Sequence, residues 1–164
     1  MVASQTGAAA PDPAASAVDA AGADAAADLV ADARILPALT GDSGWFWTAG
    51  AHGRLLIARC QDCARHIHPP MPVCAACLSR AVRPEPVSGR ATVVSFTVNH
   101  EAWLPGLAVP YVVAYVELVE QAGLWLMTNI VDCPVEAVHI GMPVRVRFLR
   151  RDDVWLPLFV PDAA

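Results

Sequence analysis

The feature that most limits how this chain can fold is a pair of Cys-x-x-Cys motifs. Cys60-Gln61-Asp62-Cys63 is followed, after ten residues, by Cys74-Ala75-Ala76-Cys77. Two cysteines three positions apart can present both sulfurs from one tight turn, and two facing turns close a tetrahedron of thiolates. A closed tetrahedron leaves no open position for a substrate. The spacing therefore predicts one structural metal ion, zinc in the first place, with iron in a rubredoxin-like site as the other ion that suits four thiolates. A thioredoxin-like dithiol expects one such motif beside a βαβ unit, which is not found here. Thiols kept for metal also belong in a reducing compartment, so the expected location is the cytoplasm. His66 and His68 lie between the pairs and read as packing or surface residues, because four cysteines already satisfy the ion. Cys133 follows an apolar strand with no activating neighbour and reads as an inert thiol. Zinc turns commonly place glycine just after the second cysteine, where φ is positive; here Ala64 and Leu78 stand at those positions, so the turns either relax or accept strain.

Charge divides the chain. It has 164 residues and a net charge of −5, yet the first 33 residues hold Asp12, Asp19, Asp24, Asp28 and Asp32 and no basic side chain. The remainder is neutral, with arginine as its only strong base. Residues 1–28 contain no aromatic side chain and too little apolar surface to offset the entropy of ordering them. Residues 1–33 are thus expected to form a disordered Ala/Asp-rich tail or linker, with a marginal helix possible near Ala25–Ala33. No stretch approaches the about 20 apolar residues of a membrane span, and the Ala-rich start lacks the basic region of a secretion signal. No membrane partner is expected.

Beyond the tail the pattern is mainly β. Residues 34–53 read as an N-terminal helical segment, in which Thr40–Ser43 cap a short helix carrying Trp45, Phe46 and Trp47. Residues 54–83 hold the metal motif after a strand at Arg54–Arg59, and residues 80–90 read as a Pro-punctuated connector. In residues 84–164, Ala91–His100 alternates, with Val94, Phe96 and Val98 on one face. Tyr111–Glu120 and Leu124–Asp132 are strands joined by Gln121-Ala122-Gly123. Pro134–Val138 forms a helical turn. Val144–Arg151, with Val144, Val146 and Phe148 inward, returns through Asp152-Asp153 into Val154–Val160. Five strands with a helical turn between the third and fourth suit a small OB-type barrel.

These blocks resemble a known family. Leu36-Pro37-Ala38-Leu39, Trp45-Phe46-Trp47 and Gly53-Arg54-Leu55-Leu56-Ile57 running into Cys60 form one; His68-Pro69-Pro70-Met71-Pro72-Val73-Cys74 forms the next. Gly89–Val98, Pro110–Ala114, Thr128–Val131 and Ile140–Val144 follow in order. Over about residues 34–161 the chain is similar to the zinc-ribbon plus OB-fold family of acyl-CoA-associated proteins, long known as a domain of unknown function. The resemblance implies short N-terminal helices, a rubredoxin-like zinc ribbon and a five-stranded OB-fold barrel. It also implies a role as a non-catalytic accessory subunit of a thiolase-superfamily partner. The preferred partner is a thiolase-like, sterol-carrier-protein-type aldolase or thiolase acting on CoA thioesters in steroid side-chain degradation. Such a subunit can help shape a CoA-thioester site held jointly with its partner, and in the steroid branch it often follows a hot-dog-fold hydratase domain through a linker.

The residues themselves show no catalytic constellation: no H-E-x-x-H, no P-loop and no G-x-G-x-x-G. His100-Glu101 beside Trp103 is the nearest to an acid–base pair and reads as a polar loop. Candidate contacts for a partner or CoA are Trp45, Phe46, Trp47, Trp103, Arg145 and Arg147. The strands around Tyr111–Asp132 are apolar on both faces, which calls for cover either by a partner or by the chain's own ribbon, helix or C-terminal segment. The alternative function is binding of single-stranded nucleic acid, since ribbons and OB folds both serve it. That reading needs a basic groove with stacking aromatics, and a neutral body does not provide one.

Overall fold

The structure is a computed structural model, and it describes residues 35–41 and 43–162. The acidic segment 1–33 and the helix expected at Ala25–Ala33 lie outside the described residues. The chain is mainly β. A short helix α1 (Gly44–Thr48) runs into a 3-10 turn at Ala49–His52. Gly53 then ends the helical segment with φ 64°, a left-handed conformation that a residue without Cβ adopts freely. Strands β1 (Leu55–Cys60), β2 (His66–Ile67) and β3 (Val82–Val87) form a three-stranded antiparallel sheet in the order β2-β1-β3. Strands β4 (Arg90–Asn99), β5 (Tyr111–Leu118), β6 (Trp125–Thr128), β7 (Pro143–Arg151) and β8 (Val154–Pro161) form the second sheet.

The order of that sheet, β6-β5-β4-β7-β8, leaves β6 and β8 at the two edges. They nearly meet: Ile130 bridges Phe159, Phe159 N–H donates to Asn129 O at 3.0 Å, and Val131 N–H donates to Phe159 O at 2.8 Å. The result is a nearly closed five-stranded barrel with the 3-10 turn Val135–Ala137 between its third and fourth strands, as the alternation predicts. Closure removes edges that would otherwise template aggregation.

Three local features depart from the sequence reading, each for a physical reason. The expected connector at 80–90 contains β3, whose Pro84 and Pro86 lie opposite Ala58 and Leu56 of β1. Proline is tolerated there because β3 is an edge strand, and prolines two apart turn their missing N–H the same way. In β4 a bulge between Val93 and Ser95 changes the inward parity. Ala91 and Val93 are buried before it, and Phe96 and Val98 turn in after it, so Val94 does not share their face. The strand expected at Leu124–Asp132 shortens to β6, because the chain bends at Asn129 to reach β8.

One apolar core runs through both sheets. Leu55 and Ile57 of β1 and Phe46 of α1 join Val93, Val112, Val116, Leu118, Leu126, Val144 and Phe159 of the barrel. Burying a side chain of this size contributes about 1.5–3 kcal/mol. The helical segment seats close on the barrel: a Cβ on Gly50 would come within 2.5 Å of the Trp155 Cβ.

Candidate metal centre and exposed sheet face

The two cysteine motifs fold into matching turns. Cys60 ends β1, its N–H donates to Arg65 O at 2.9 Å, and its carbonyl accepts Ala64 N–H at 2.9 Å. Cys74 repeats the arrangement, with N–H to Ser79 O at 2.9 Å and carbonyl from Leu78 N–H at 2.8 Å. Closing these turns drives Ala64 and Leu78 to φ 63° and 62°, so the turns accept strain rather than relax. Arg59 and Gln61 brace the first turn: both donate to Glu85 of β3 at 2.8 Å, and Gln61 N–H donates to Ala81 O at 2.7 Å. The Gln61 amide and the Arg59 guanidinium hold the Glu85 carboxyl below its ordinary range.

The four sulfurs lie within 4.8 Å of one another, with Cys60 to Cys77 at 3.5 Å and Cys63 to Cys74 at 3.6 Å. A tetrahedron with metal–sulfur bonds of about 2.3 Å spaces its sulfurs about 3.8 Å apart, so the donor set fits one ion. Its electrostatics agree. The Cys63 amide, against burial and with help from Asp62, lowers the Cys60 thiol to about 6. The Cys77 and Ala76 amides likewise lower Cys74. At Cys77 the Ser79 amide pulls the other way, but the neighbouring sulfurs, Cys60 first, push the thiol up to about 12. Four thiolates this close cannot all be charged without a cation among them, and the amide hydrogen bonds aim them at a common centre.

His66 and His68 stay out of this cluster. His68 packs half-buried against Phe46, ring centroids 5.3 Å apart, and burial lowers its pKa. His66 is gripped through its backbone: its N–H donates to Gln121 Oε1 at 2.9 Å, and Gln121 Nε2 donates to its carbonyl at 3.2 Å. Gln121 sits in the β5–β6 turn, so this clamp ties the ribbon to the barrel. Nothing in the sequence pattern marks it. Cys133 packs against the core, and burial, then Asp132, raises its thiol.

The other singled-out residues are dispersed. Phe46 is buried, with Trp45 and Trp47 packed edge-on beside it and partly covered. Trp103 is exposed in the 100–110 loop, where His100 and Glu101 are exposed too. Arg145 and its neighbour Arg90 both reach Asp162, at 3.8 and 3.5 Å, and Arg147 is bonded to Asp132. The two-sided strands, by contrast, keep their second face open: Tyr115, Val119, Trp125 and Met127 are exposed. Among the described residues no helix is long and apolar enough to cross a membrane.

Comparison with known proteins gives these features a setting. A family model described as the ChsH2 rubredoxin-like zinc ribbon domain matches residues 47–83, and one described as the ChsH2 C-terminal OB-fold domain matches residues 84–149. In a solved structure of the Ltp2-ChsH2(DUF35) aldolase, one chain is 36% identical to this one. It superposes with a TM-score of 0.69 over 77% of this chain and 98% of its own length. A Mycobacterium tuberculosis protein named 3-oxo-4,17-pregnadiene-20-carboxyl-CoA hydratase alpha subunit is 36% identical over 135 residues, which are 82% of this chain and 42% of that one. A Methanocaldococcus jannaschii protein named DUF35 domain-containing scaffold protein is 35% identical over 98 residues, 58% of this chain and 68% of that one. The chain spans about two fifths of the length of the curated hydratase subunits it matches.

Proposed function

This chain belongs to the ChsH2-type (DUF35) family of zinc-ribbon and OB-fold proteins, and from that premise we propose that it is a non-catalytic accessory subunit. Its partner is a thiolase-superfamily enzyme acting on CoA thioesters, in the preferred case an aldolase that cleaves a carbon–carbon bond in steroid side-chain degradation. The observation that carries this reading is the likeness to one chain of the Ltp2-ChsH2(DUF35) aldolase over nearly that chain's whole length. The scaffold name of the archaeal relative supports a structural role. The described residues add no converging acid, base and nucleophile: His100 and Glu101 stand exposed, and Cys133 is a raised, unactivated thiol.

In this reading Cys60, Cys63, Cys74 and Cys77 hold one zinc ion, which fixes the two turns and does no chemistry on substrate. Residues 34–53 form the helical segment, 54–83 the ribbon and 84–164 the barrel. Residues 1–33 are a linker toward a hot-dog-fold hydratase domain, consistent with the greater length of the hydratase relatives. The CoA thioester is bound jointly with the partner, and the complex works in the cytoplasm. Four arginines, Arg59, Arg90, Arg145 and Arg147, each face a carboxylate of the chain itself, which weakens their claim on a phosphate backbone in the nucleic-acid reading.

The test is reconstitution. The purified chain alone should turn over no acyl-CoA substrate. When mixed with a thiolase-superfamily aldolase subunit, it should form a defined complex by light scattering and raise that subunit's activity or solubility. Turnover by the chain alone, or tight salt-sensitive binding of single-stranded DNA, would overturn the reading.

A further inference from the structure

The most exposed apolar surface among the strands lies on the outer face of β5 and β6. Tyr115 stands opposite Met127 and Glu117 opposite Trp125 in that strand pair. Tyr115, Trp125, Met127 and Val119 are 46, 52, 63 and 62% exposed, and apolar side chains exposed side by side, rather than singly, mark an interaction surface. The helical segment packs instead against β8 and β1, and the ribbon meets the barrel through the shared core and the β5–β6 turn rather than across this face.

The face has a charge at its centre. Glu117 Oε2 accepts Trp125 Nε1–H at 2.8 Å and Gly123 N–H at 2.7 Å. These bonds hold the carboxylate in one place, and the Tyr115 and Trp125 rings lie 6.2 Å apart beside it. The amide of Gly123, then the Trp125 indole, keep its pKa low. No cation pairs with it among the described residues, whereas the nearby Arg90 and Arg145 already share Asp162.

Resting on the accessory-subunit reading above, we propose that this face is where the partner enzyme subunit docks. The matching partner surface is apolar and carries an arginine or lysine that pairs with Glu117. Tryptophan, tyrosine and methionine are side chains that interfaces concentrate: the two aromatics give large contact area with few rotamers to lose, and the flexible thioether of methionine adapts its shape to the partner. A fixed carboxylate among them selects a complementary cation and sets the register of docking. A second copy of this chain fits poorly, since a two-fold contact centred on these side chains would bring two Glu117 carboxylates together.

The experiment titrates purified Ltp2, of the similar aldolase, with the full metal-loaded chain and follows binding by calorimetry. Trp125→Ala with Met127→Ala should weaken binding tenfold or more while metal content and melting temperature stay as in the parent. Glu117→Gln should weaken it about threefold and flatten its salt dependence. Parent-like affinity in both variants would overturn the docking face and leave the accessory role standing. Failure of the parent chain itself to bind would overturn the accessory role. Dimerisation of the chain alone, abolished by the double substitution, would assign the face to a second copy and overturn the proposal. So would a rise in hydrogen exchange across 113–127 on deletion of residues 1–34, which would assign it to the chain's own N-terminal segment.

Discussion

Ala64 and Leu78 hold a left-handed backbone that a Cβ disfavours by about 1–2 kcal/mol. Both positions close the turns that carry the cysteines, and Leu78 is exposed, so its side chain returns little burial. Replacing either by glycine relieves the strain but loosens the unfolded chain, which offsets up to about 1 kcal/mol. Ala64→Gly and Leu78→Gly should therefore each stabilise the metal-loaded protein by about 0.5 kcal/mol, seen as a small upward shift in melting temperature. A drop would mean that the side chains contribute packing that outweighs the strain. His68 gives a second residue-level prediction. Burial keeps its folded pKa below the ordinary value near 6.5. The unfolded chain then binds the extra proton first as pH falls, so stability is lost from about pH 7 downward until His68 itself titrates in the folded state. Stability measured from pH 7 to 5 should fall less steeply in His68→Gln than in the parent; equal slopes would clear His68 of any part. The cysteines and the strained positions after them were legible because a Cys-x-x-Cys turn dictates its own backbone. Glu117 and Gln121 were not, since each acts through bonds whose partners lie far along the chain or are fixed only by the fold.

At the scale of elements, alternation located β4, β5, β7 and β8 and failed where backbone geometry overrides it. A bulge makes Val94 change sides, and proline-rich β3 is a strand only because β1 offers it one edge to pair with. The two-sided apolarity of β5 and β6 was readable, but not which of its possible covers applied; the structure answers for the described residues by leaving Tyr115, Trp125 and Met127 open. Beside the shared core, ribbon and barrel meet at the clamp in which Gln121 takes the place of a strand neighbour for His66. Removing it loses two half-buried hydrogen bonds, worth about 1 kcal/mol each. Gln121→Ala should lower stability by about 1–2 kcal/mol and speed hydrogen exchange at the His66 amide. The amides of Cys60 and Cys74, held by their own turns, should keep their protection. Unchanged exchange at His66 would mean that β1 pairing alone holds β2 in place.

Over the whole molecule, the ribbon and barrel are joined through one core, because Leu55 and Ile57 of β1 lie in the same cluster as Val93, Val116 and Phe159. Structural zinc in small domains supplies an apparent 10–16 kcal/mol of binding free energy, which is folding free energy when the site does not exist in the unfolded chain. A domain of this size is stable by only about 5–15 kcal/mol in total. With the core shared, loss of metal cannot be confined to the ribbon: releasing the turns at Cys60 and Cys74, both fully buried, withdraws β1 from the barrel's interior. Thermal unfolding followed by tryptophan fluorescence, circular dichroism and metal release should therefore give one coincident transition. Chelation, or Cys60→Ser, should lower the midpoint of the barrel signal together with that of the ribbon. Two separated transitions, with the barrel melting where it did before the metal was removed, would show that the cluster around Leu55 and Ile57 does not couple the two sheets. The metal would then serve the ribbon alone.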